Sequence, residues 1–394
     1  MQKTELKPSY YDQFACIGGA CEDTCCAGWT IDIDKKSYQK YKNEKNPAIK
    51  DALKKNIQRN RQGQNDLQYG KFKLDTDGKC TMLDEENLCT IQKTLGEKAL
   101  CRTCMVYPRQ NIQLNQAIEK SLDTSCPEAA RLILLNKDGI NFIEDEAIQP
   151  NYWIEHVEKK DDEYAYFWSN RIFFISVLQH RKHSIEMRLF LIGLYIKKME
   201  SLSLKERMQQ AEKLSAYYIS LLDTLETDEL LTSLEANYVL QQPLADFFLK
   251  EFHTNSMRFK ELADQAFKDI DFSVKDGTFK AFIKKHAPTY TNDENTKIIL
   301  ENYLVNLVFV KYFETNEQTN IQFFSYLMIH FALLRLLIIG NMDVLELNDA
   351  NMVRIIQAFS KACTHNSNYF TEATRIISSP EYSLTSQAIN LLKI

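Results

Sequence analysis

The chain has 394 residues, of which 44% are hydrophobic, and a net charge of −5 at pH 7; this length can bury a large core and hold more than one domain. The sequence has no block of Lys and Arg with interleaved aromatic residues, so we do not expect nucleic acid as a partner. The N-terminal MQKTELKPSYYDQF has no apolar segment and no small-residue cleavage site, so we expect a cytoplasmic protein, in which structural disulfides are rare.

Cysteine and glycine are unevenly distributed along the chain. Seven of the eleven glycines precede residue 127, and Cys363 is the one cysteine of ten in the last two thirds. We therefore expect a loop-rich, cysteine-rich region over residues 1–135 and an all-helical domain over residues 136–394. The cysteines of the first region are Cys16, Cys21, Cys25, Cys26, Cys80, Cys89, Cys101, Cys104 and Cys126.

Local patterns predict short elements within the first region. WTIDID, residues 29–34, alternates apolar and polar residues as a short strand does, and the polar stretch after it reads as helical. EENLCTIQKTLGEKAL predicts one short helix that ends near Gly96. In SCPEAARLILL, Pro127 is suited to the first turn of a helix. Cys126 would then lie at the helix N-terminus, where the dipole favours a thiolate.

The remainder predicts a helical body, because segments such as FWSNRIFFISVLQH and NMVRIIQAFSKACTH repeat apolar residues at three- and four-residue spacing. The most hydrophobic run, residues 323–340, contains Ser325, His330 and Arg335. A charge near the centre of a single membrane span is costly, so this run predicts a buried core helix and no membrane partner. The expected fold is mainly α, with a cysteine-rich metal-binding N-terminal region, containing a short strand, packed on a helical body.

Metal ligation best explains the thiols. Cys21 and Cys25 are four residues apart and Cys101 and Cys104 are three apart, so each pair can point in one direction. Four thiolates suit zinc and an iron–sulfur cluster equally in ligand type. The glycines of CIGGAC favour a cluster slightly, since a permissive backbone can aim N–H groups at its sulfurs. The alternative is a zinc ribbon that only stabilises the domain. Nine cysteines are more than one metal site needs as ligands, so either some are spare and buried or there are two sites.

Three motifs carry a resemblance to a known family. They are Y-x-x-F-x-C-I-G-x-x-C-E-D-T-C-C-x-G-W at 11–29, C-T-M-L-D-E-E-N-L-C-T-I-Q-K-x-L-G-E-K-x-L-C-x-T-C-x-x-Y-P-R at 80–109 and S-L-x-x-S-C-P-E-A-A-R at 121–131. Together they resemble the flagellin lysine-N-methylase (FliB) family over residues 10–135. Parts of them also resemble a smaller family of zinc- or iron-chelating domains, which supports metal binding without methyl transfer.

The first resemblance implies an enzyme that uses S-adenosylmethionine to methylate lysines of flagellin, with an iron–sulfur cluster, 4Fe–4S in type, held among the nine cysteines. The sequence has no glycine-rich dinucleotide fingerprint, and Gly28 stands where a third cysteine would complete the usual radical S-adenosylmethionine motif. The cofactor site must therefore be built differently. The alternative is a non-enzymatic zinc- or iron-binding protein that regulates or binds flagellin.

A lysine amine has a reference pKa near 10.4, so a methylase must desolvate it or supply an acceptor. Tyr107, three residues from Cys104, is our candidate for the catalytic group beside the amine, and Arg109 for binding the cofactor carboxylate. A packed aromatic and a surface arginine are the alternatives. Direct displacement is chemically simpler than a radical route through 5′-deoxyadenosine.

Further residues have weaker signals. Trp29 either opens a strand as a core residue or faces cofactor or substrate, and Glu22 and Asp23 either face water or accept hydrogen bonds near the metal. A set of aromatic residues either lines a lysine channel or packs between helices: Tyr152, Trp153, Phe167 and Trp168.

Overall fold

A computed structural model of the chain describes residues 4–62, 65–147, 154–272, 277–312, 320–364 and 368–394. The described strands lie before residue 158: β1 (Thr4–Pro8), β2 (Asp32–Ile33), β3 (Ile57–Arg59), β4 (Gly70–Phe72), β5 (Arg109–Leu114), β6 (Ala117–Leu122), β7 (Phe142–Glu146) and β8 (Glu155–Val157). The short helices of the first region are α1 (Lys35–Lys42), α2 (Lys50–Asn56), α3 (Thr90–Leu95), α4 (Arg102–Val106) and α5 (Pro127–Leu134).

Helices predominate from residue 161 onward, which confirms the expected mainly helical fold. They are α6 (Asp161–Leu178), α7 (Ile185–Glu200), α8 (Leu204–Thr224), α9 (Tyr238–Asp246), α10 (Met257–Gln265), α11 (Thr278–Asn292), α12 (Glu294–Lys311), α13 (Asn320–Gly340), α14 (Asp349–Thr364), α15 (Asn368–Ile377) and α16 (Leu384–Ile389). Several begin with a Ser or Asp whose side chain accepts a hydrogen bond from the first turn, as Ser184 does for α7 and Asp293 for α12. These caps satisfy backbone N–H groups that have no partner within the helix.

The larger sheet was not expected from the sequence. Its strand order is β7-β1-β6-β5-β8, with β1 parallel to β6 and β5 parallel to β8. Strands β7 and β8 fall within residues 136–394, so that part of the chain is not all-helical as predicted. Their partners β1 and β5 are distant in sequence, and pairing of this kind leaves little trace in local periodicity.

Strands β5 and β6 form a hairpin that positions the candidate site. They pair in antiparallel register from Arg109 opposite Leu122 to Leu114 opposite Ala117. At the closed end Asn115 has a φ of +52°, a left-handed conformation that asparagine tolerates. At the open end the backbone N–H of Asp123 donates to the carbonyl of Pro108 at 2.9 Å. The residues just before β5 therefore lie beside those just after β6.

The smaller sheet, of order β2-β4-β3, belongs to a separate hydrophobic core. This core contains Ile33, Leu53, Phe72, Ile91 and Cys101. Both ends of the first region instead contribute residues to the core of the helical body, among them Tyr10, Phe14, Leu122 and Ile133. The boundary between the two cores therefore does not fall at residue 135, because the first region contributes to both. The expected domain boundary at residue 135 stays a prediction.

The local predictions are confirmed at several points. The strand expected within 29–34 is β2, the helix expected before Gly96 is α3, and Pro127 opens α5 with Cys126 at its N-cap. The polar stretch after β2 forms two helices, α1 and α2, because a loop containing Pro47 separates them.

The hydrophobic run at 323–340 lies in α13. This helix is long and apolar enough to cross a membrane, but 94% of its apolar window is buried inside the protein. The predicted core helix is therefore confirmed. Arg335, which interrupts the run, donates to the carbonyls of Leu391 and Leu392, so its buried guanidinium is held by the C-terminal segment.

A buried ion pair joins the sheet to the helical body. Arg171 of α6 binds Glu119 of β6 through two hydrogen bonds of 2.7 and 2.9 Å. The two side chains are 1% and 3% exposed. The same guanidinium donates to the carbonyl of Phe309 at 2.9 Å and lies over the Phe309 ring. Elements distant in sequence are thereby fixed to one another by a single side chain.

The cysteine-rich loop lies against α14 of the body. Lys361, whose side chain is 3% exposed, donates to the Asp23 carboxylate at 2.6 Å and to the carbonyl of Thr24 at 3.0 Å. Gln357 also donates to Asp23, at 2.8 Å, and Glu22 pairs with Arg131 of α5. Glu22 and Asp23 thus anchor the loop to the rest of the protein rather than only facing water.

Gly70 allows a close approach in the smaller sheet. A Cβ at this position would lie 2.7 Å from Cε2 of Tyr38, so we expect Gly70→Ala to destabilise the protein by roughly 1–3 kcal/mol through overpacking. Gly19→Ala is the control, because its Cβ would meet the flexible end of Leu88 at 3.3 Å and should change stability by less than about 0.5 kcal/mol. Urea unfolding measures both, and equal effects would contradict the prediction.

His330 makes stability depend on pH. Its Nδ1 lies 2.7 Å from the Tyr303 hydroxyl and its Nε2 bonds to the Tyr369 hydroxyl. Burial lowers the pKa of His330 to about 3. The unfolded state, with a histidine pKa near 6.5, binds a proton over this interval that the folded state does not.

The free energy of unfolding should therefore fall as the pH drops from about 6.5 toward about 3, by up to about 1.4 kcal/mol per pH unit from this residue. Other groups titrate in the same range, so the comparison is between wild type and His330→Gln in urea unfolding at several pH values. The variant should show the shallower dependence. Parallel curves would contradict the assignment of this slope to His330.

Candidate thiol site and adjoining cavity

All ten cysteines are free thiols with different degrees of burial. Cys89, Cys101 and Cys126 occupy the N-cap positions of α3, α4 and α5, and none of these three side chains caps its helix by a hydrogen bond. Backbone N–H groups of the first turn nevertheless favour the thiolate forms of Cys89 and Cys126. Cys363 lies in α14, buried in the core of the helical body and outside the thiol-rich region.

Two pairs of thiols lie at the centre of the cysteine-rich region. The Cys25 and Cys26 thiols perturb each other's acidity, as do those of Cys101 and Cys104, and the Cys104 thiol also interacts electrostatically with both members of the first pair. The backbone N–H of Cys80 donates to the carbonyl of Cys26 at 2.7 Å. The fold thus brings together thiols that are up to 79 positions apart, at 25 and 104.

The remaining thiols extend this group on two sides. Cys80 and Cys89 interact with Cys26 and Cys101. On the other side, Cys126 interacts with Cys16 and Cys21, and Cys25 interacts with Cys16 and Cys126. All nine predicted cysteines therefore fall in one neighbourhood, with Cys25 between its two parts.

Burial dominates the acidity of most of these thiols. It raises the pKa of Cys80 to about 12 and that of Cys126 to about 12. Backbone N–H groups of Glu128 and Ala129 in α5 favour a Cys126 thiolate, as expected at a helix N-terminus, but burial is the larger influence and raises the pKa of Cys126. Cys26 differs: the Cys25 thiol, the Thr24 hydroxyl and the Lys361 ammonium lower the pKa of Cys26.

We tested whether these residues fit a thiophilic metal. Among the described residues, no group of three or more His, Cys, Asp or Glu side chains is already arranged around a metal position. The thiols nevertheless fit zinc or an iron–sulfur cluster in donor type and in number. The Cys104 thiol lies within electrostatic range of Cys25 and Cys26. The fold thus gathers thiols of the kind that such a metal would need as ligands.

A cavity of about 620 Å³ adjoins the thiols at the open end of the β5–β6 hairpin. We call it the hairpin cavity. The predicted residues Tyr107 and Arg109 both line it, together with Trp29 and Asp123. The rings of Trp29 and Tyr107 are 5.7 Å apart, and Trp29 Nε1 donates to the carbonyl of Cys25 at 2.7 Å. One wall of the cavity is thus attached directly to a thiol-bearing residue.

Tyr107 and Arg109 differ in their surroundings. The Tyr107 hydroxyl lies 2.9 Å from the Ser125 hydroxyl, and burial, with a contribution from the negative charge of Asp123, raises the pKa of Tyr107 well above its usual value. Tyr107 is therefore a neutral phenol near pH 7. The Arg109 guanidinium lies over the Phe14 ring at 4.8 Å and forms no ion pair with any described carboxylate, so it can accept an anionic partner.

Sequence reasoning missed Asp123 and left Trp29 undecided. Asp123 is 6% exposed and follows β6 directly. Only the pairing of β5 with β6, which local sequence did not predict, brings it beside Tyr107. The sequence offered one signal for Asp123, the polar run of residues 123–125 directly before Cys126 and Pro127. The structure shows that this run is buried. Trp29 is half-buried: it packs against the smaller hydrophobic core and also lines the cavity.

Trp29 also lines a second cavity of about 620 Å³, between the cysteine-rich region and α10. Its walls include Asp32, Asp264 and Lys361. Of the aromatic residues considered for a lysine channel, Phe167 and Trp168 instead contact the Arg171 guanidinium. Tyr152 and Trp153 lie outside the described residues.

The fold and the site define a mainly helical protein with a thiol-rich module beside a polar and aromatic cavity. The family of the FliB lysine N-methylase C-terminal domain matches residues 171–391. The chain therefore belongs to the FliB lysine N-methylase family. This match lies in the helical body, which carried no diagnostic motif, whereas the motifs that suggested the family lie in the cysteine-rich region.

Individual relatives agree with this membership. The chain is 30% identical over 225 residues to the lysine-N-methylases of Salmonella choleraesuis (strain SC-B67) and Salmonella typhimurium (strain LT2), covering 57% of this chain and 54% of each relative. It is 38% identical over 138 residues to the flagellar biosynthetic protein FliU of Salmonella muenchen, covering 35% of this chain and 80% of that protein. The chain thus aligns with about half the length of the lysine-N-methylases. No solved structure matches it.

Proposed function

We propose that this protein is a cytoplasmic S-adenosylmethionine-dependent lysine N-methyltransferase that acts on flagellin and carries a thiol-held metal centre, an iron–sulfur cluster of the 4Fe–4S type, with zinc as the alternative. The observation that carries the proposal is the hairpin cavity, in which Tyr107, Arg109 and Trp29 meet beside the thiols of a chain in the FliB lysine N-methylase family.

The residues that would hold the metal are the central thiols, with Cys25, Cys26, Cys101 and Cys104 at their core. A cluster bound there would supply a thiolate-held iron able to anchor the methionine part of the cofactor. Lys361 and Thr24 favour loss of the Cys26 proton, which ligation requires.

The hairpin cavity would hold the reacting groups. Arg109, which no described carboxylate neutralises, would bind the cofactor carboxylate. Tyr107, kept neutral by burial, would orient the lysine amine through its hydroxyl oxygen while Ser125 holds that hydroxyl in place. Trp29 would exclude water from the same space, and placing both reactants in one cavity would contribute the advantage of proximity.

The test is incubation of protein purified without oxygen with methyl-labelled S-adenosylmethionine and monomeric flagellin, followed by analysis for methyl-lysine. S-adenosylhomocysteine formed once per methyl group would support displacement, whereas 5′-deoxyadenosine formed in proportion would indicate a radical route. A stable flagellin complex without turnover would overturn the enzyme proposal in favour of a binding protein. Tyr107→Phe, which removes only the hydroxyl, should lower turnover more than it weakens cofactor binding.

A further inference from the structure

Asp123 is a buried carboxylate that pairs with no cationic side chain of the described residues. Its Oδ1 accepts from the backbone N–H of Ser125 at 2.8 Å and its Oδ2 from the amide of Gln110 at 3.2 Å. Both donors are neutral, and within the described part of the chain no Lys, Arg or His side chain forms an ion pair with it. The other buried carboxylates of the described residues differ in this respect: Glu5 pairs with Lys7 and Lys120, and Glu119 and Glu301 are each bound by arginine.

A carboxylate that is removed from water without a counter-charge is unfavourable, and such groups usually pair with a cation. Asp123 is 6% exposed and what remains accessible of it opens into the hairpin cavity. Arg102, Arg109 and Lys311 also line this cavity, but none of them forms an ion pair with Asp123. A cationic ligand that contacts the carboxylate would supply that pair.

The neighbours of Asp123 specify what kind of cation fits. The rings of Trp29 and Tyr107 lie 5.7 Å apart and line the same cavity. Aromatic faces attract ammonium groups and pack against aliphatic chains, so a slender apolar stem ending in a cation suits these walls.

We propose that Asp123 binds the ε-ammonium of the substrate lysine in the hairpin cavity. This role rests on the proposed lysine methylation. The ion pair would hold Nζ in the cavity that Tyr107 and Arg109 also line.

Binding of small lysine mimics tests the proposal without requiring turnover. Wild-type protein should bind Nα-acetyl-lysine methylamide at least about tenfold more tightly than the norleucine analogue, which lacks only the amine. Asp123→Asn, which keeps the shape and the acceptor for Ser125, should abolish this preference. Asp264→Asn is the matched control, since it removes the same charge from the other cavity lined by Trp29, and the preference should remain.

A preference retained in Asp123→Asn, or absent from the wild type, would overturn the proposal. Loss of S-adenosylmethionine binding in Asp123→Asn with the lysine preference intact would also overturn it and assign Asp123 to the sulfonium. Wild-type protein provides a check that does not depend on folding of the variant. Carbodiimide labelling of Asp123 should slow with the lysine compound and not with the norleucine compound, and equal labelling would contradict the inference.

The outcomes separate this inference from the proposed function. Lysine binding that depends on Asp123, without any methyl transfer to flagellin, would overturn the proposed function and leave the inference standing. Full methyl transfer by Asp123→Asn would overturn the inference and leave the function standing.

Discussion

Cys101→Ser is expected to lower the content of bound iron and acid-labile sulfide at least about tenfold, since loss even of groups that support metal ligands costs that much affinity. Cys101 is fully buried, and its thiol interacts with that of Cys104 at the centre of the thiols. Cys104→Ser should behave in the same way. Metal analysis of protein purified without oxygen measures the effect, with zinc determined in the same samples.

Cys363→Ser is the matched control for this experiment. Cys363 is also buried, at 2% exposure, so its replacement likewise places a hydroxyl in an apolar site, but it lies in α14 outside the thiol group. Its metal content should equal that of wild type. Equal metal loss in all three variants would show that instability, rather than ligation, removes the metal. Zinc in stoichiometric amount without iron would reject the cluster and keep the thiol site.

Arg171→Met is expected to destabilise the protein by about 3–5 kcal/mol, because it leaves Glu119 charged and buried without its partner. The pair also links β6 to α6 and, through the carbonyl of Phe309, to α12. Urea unfolding measures the change. The double variant Arg171→Met with Glu119→Leu should recover part of the loss, since no uncompensated charge then remains in the core.

Arg375→Met provides the comparison for the stability prediction. Arg375 pairs with Glu372 on the surface, where the two side chains are 72% and 43% exposed, and exposed pairs contribute at most about 1 kcal/mol. A loss below about 1 kcal/mol for Arg171→Met would contradict a stabilising role for the buried pair.

The helical body could be predicted from the sequence because each helix carries its own periodicity. The end of α3 at Gly96 and the start of α5 at Pro127 were equally local signals. The larger sheet could not be predicted from the sequence. Its strand β6, AIEKSL, lacks the alternation of apolar and polar residues typical of a strand, because Glu119 is buried as well as the apolar residues. The buried charge of Glu119 is compensated by Arg171, which lies 52 positions further along the chain in α6.

The candidate site divides in the same way. Tyr107 and Arg109 were predicted because they follow Cys104 closely in the chain, and both line the hairpin cavity. Asp123 enters the site through strand pairing, and Trp29 through a loop that Lys361 holds by its contacts with Asp23 and Thr24. Neither relation is local, so neither could be inferred from spacing alone.

Trp29 forms part of the wall of two cavities, so their occupancies would be thermodynamically linked if a ligand in one of them displaced the indole ring. A ligand that displaces the ring from one side changes the space available on the other. Reciprocity then requires that each ligand alter the affinity of the other by the same factor. Replacing Trp29 by a smaller residue would therefore be expected to uncouple the two binding equilibria, even where each ligand still binds.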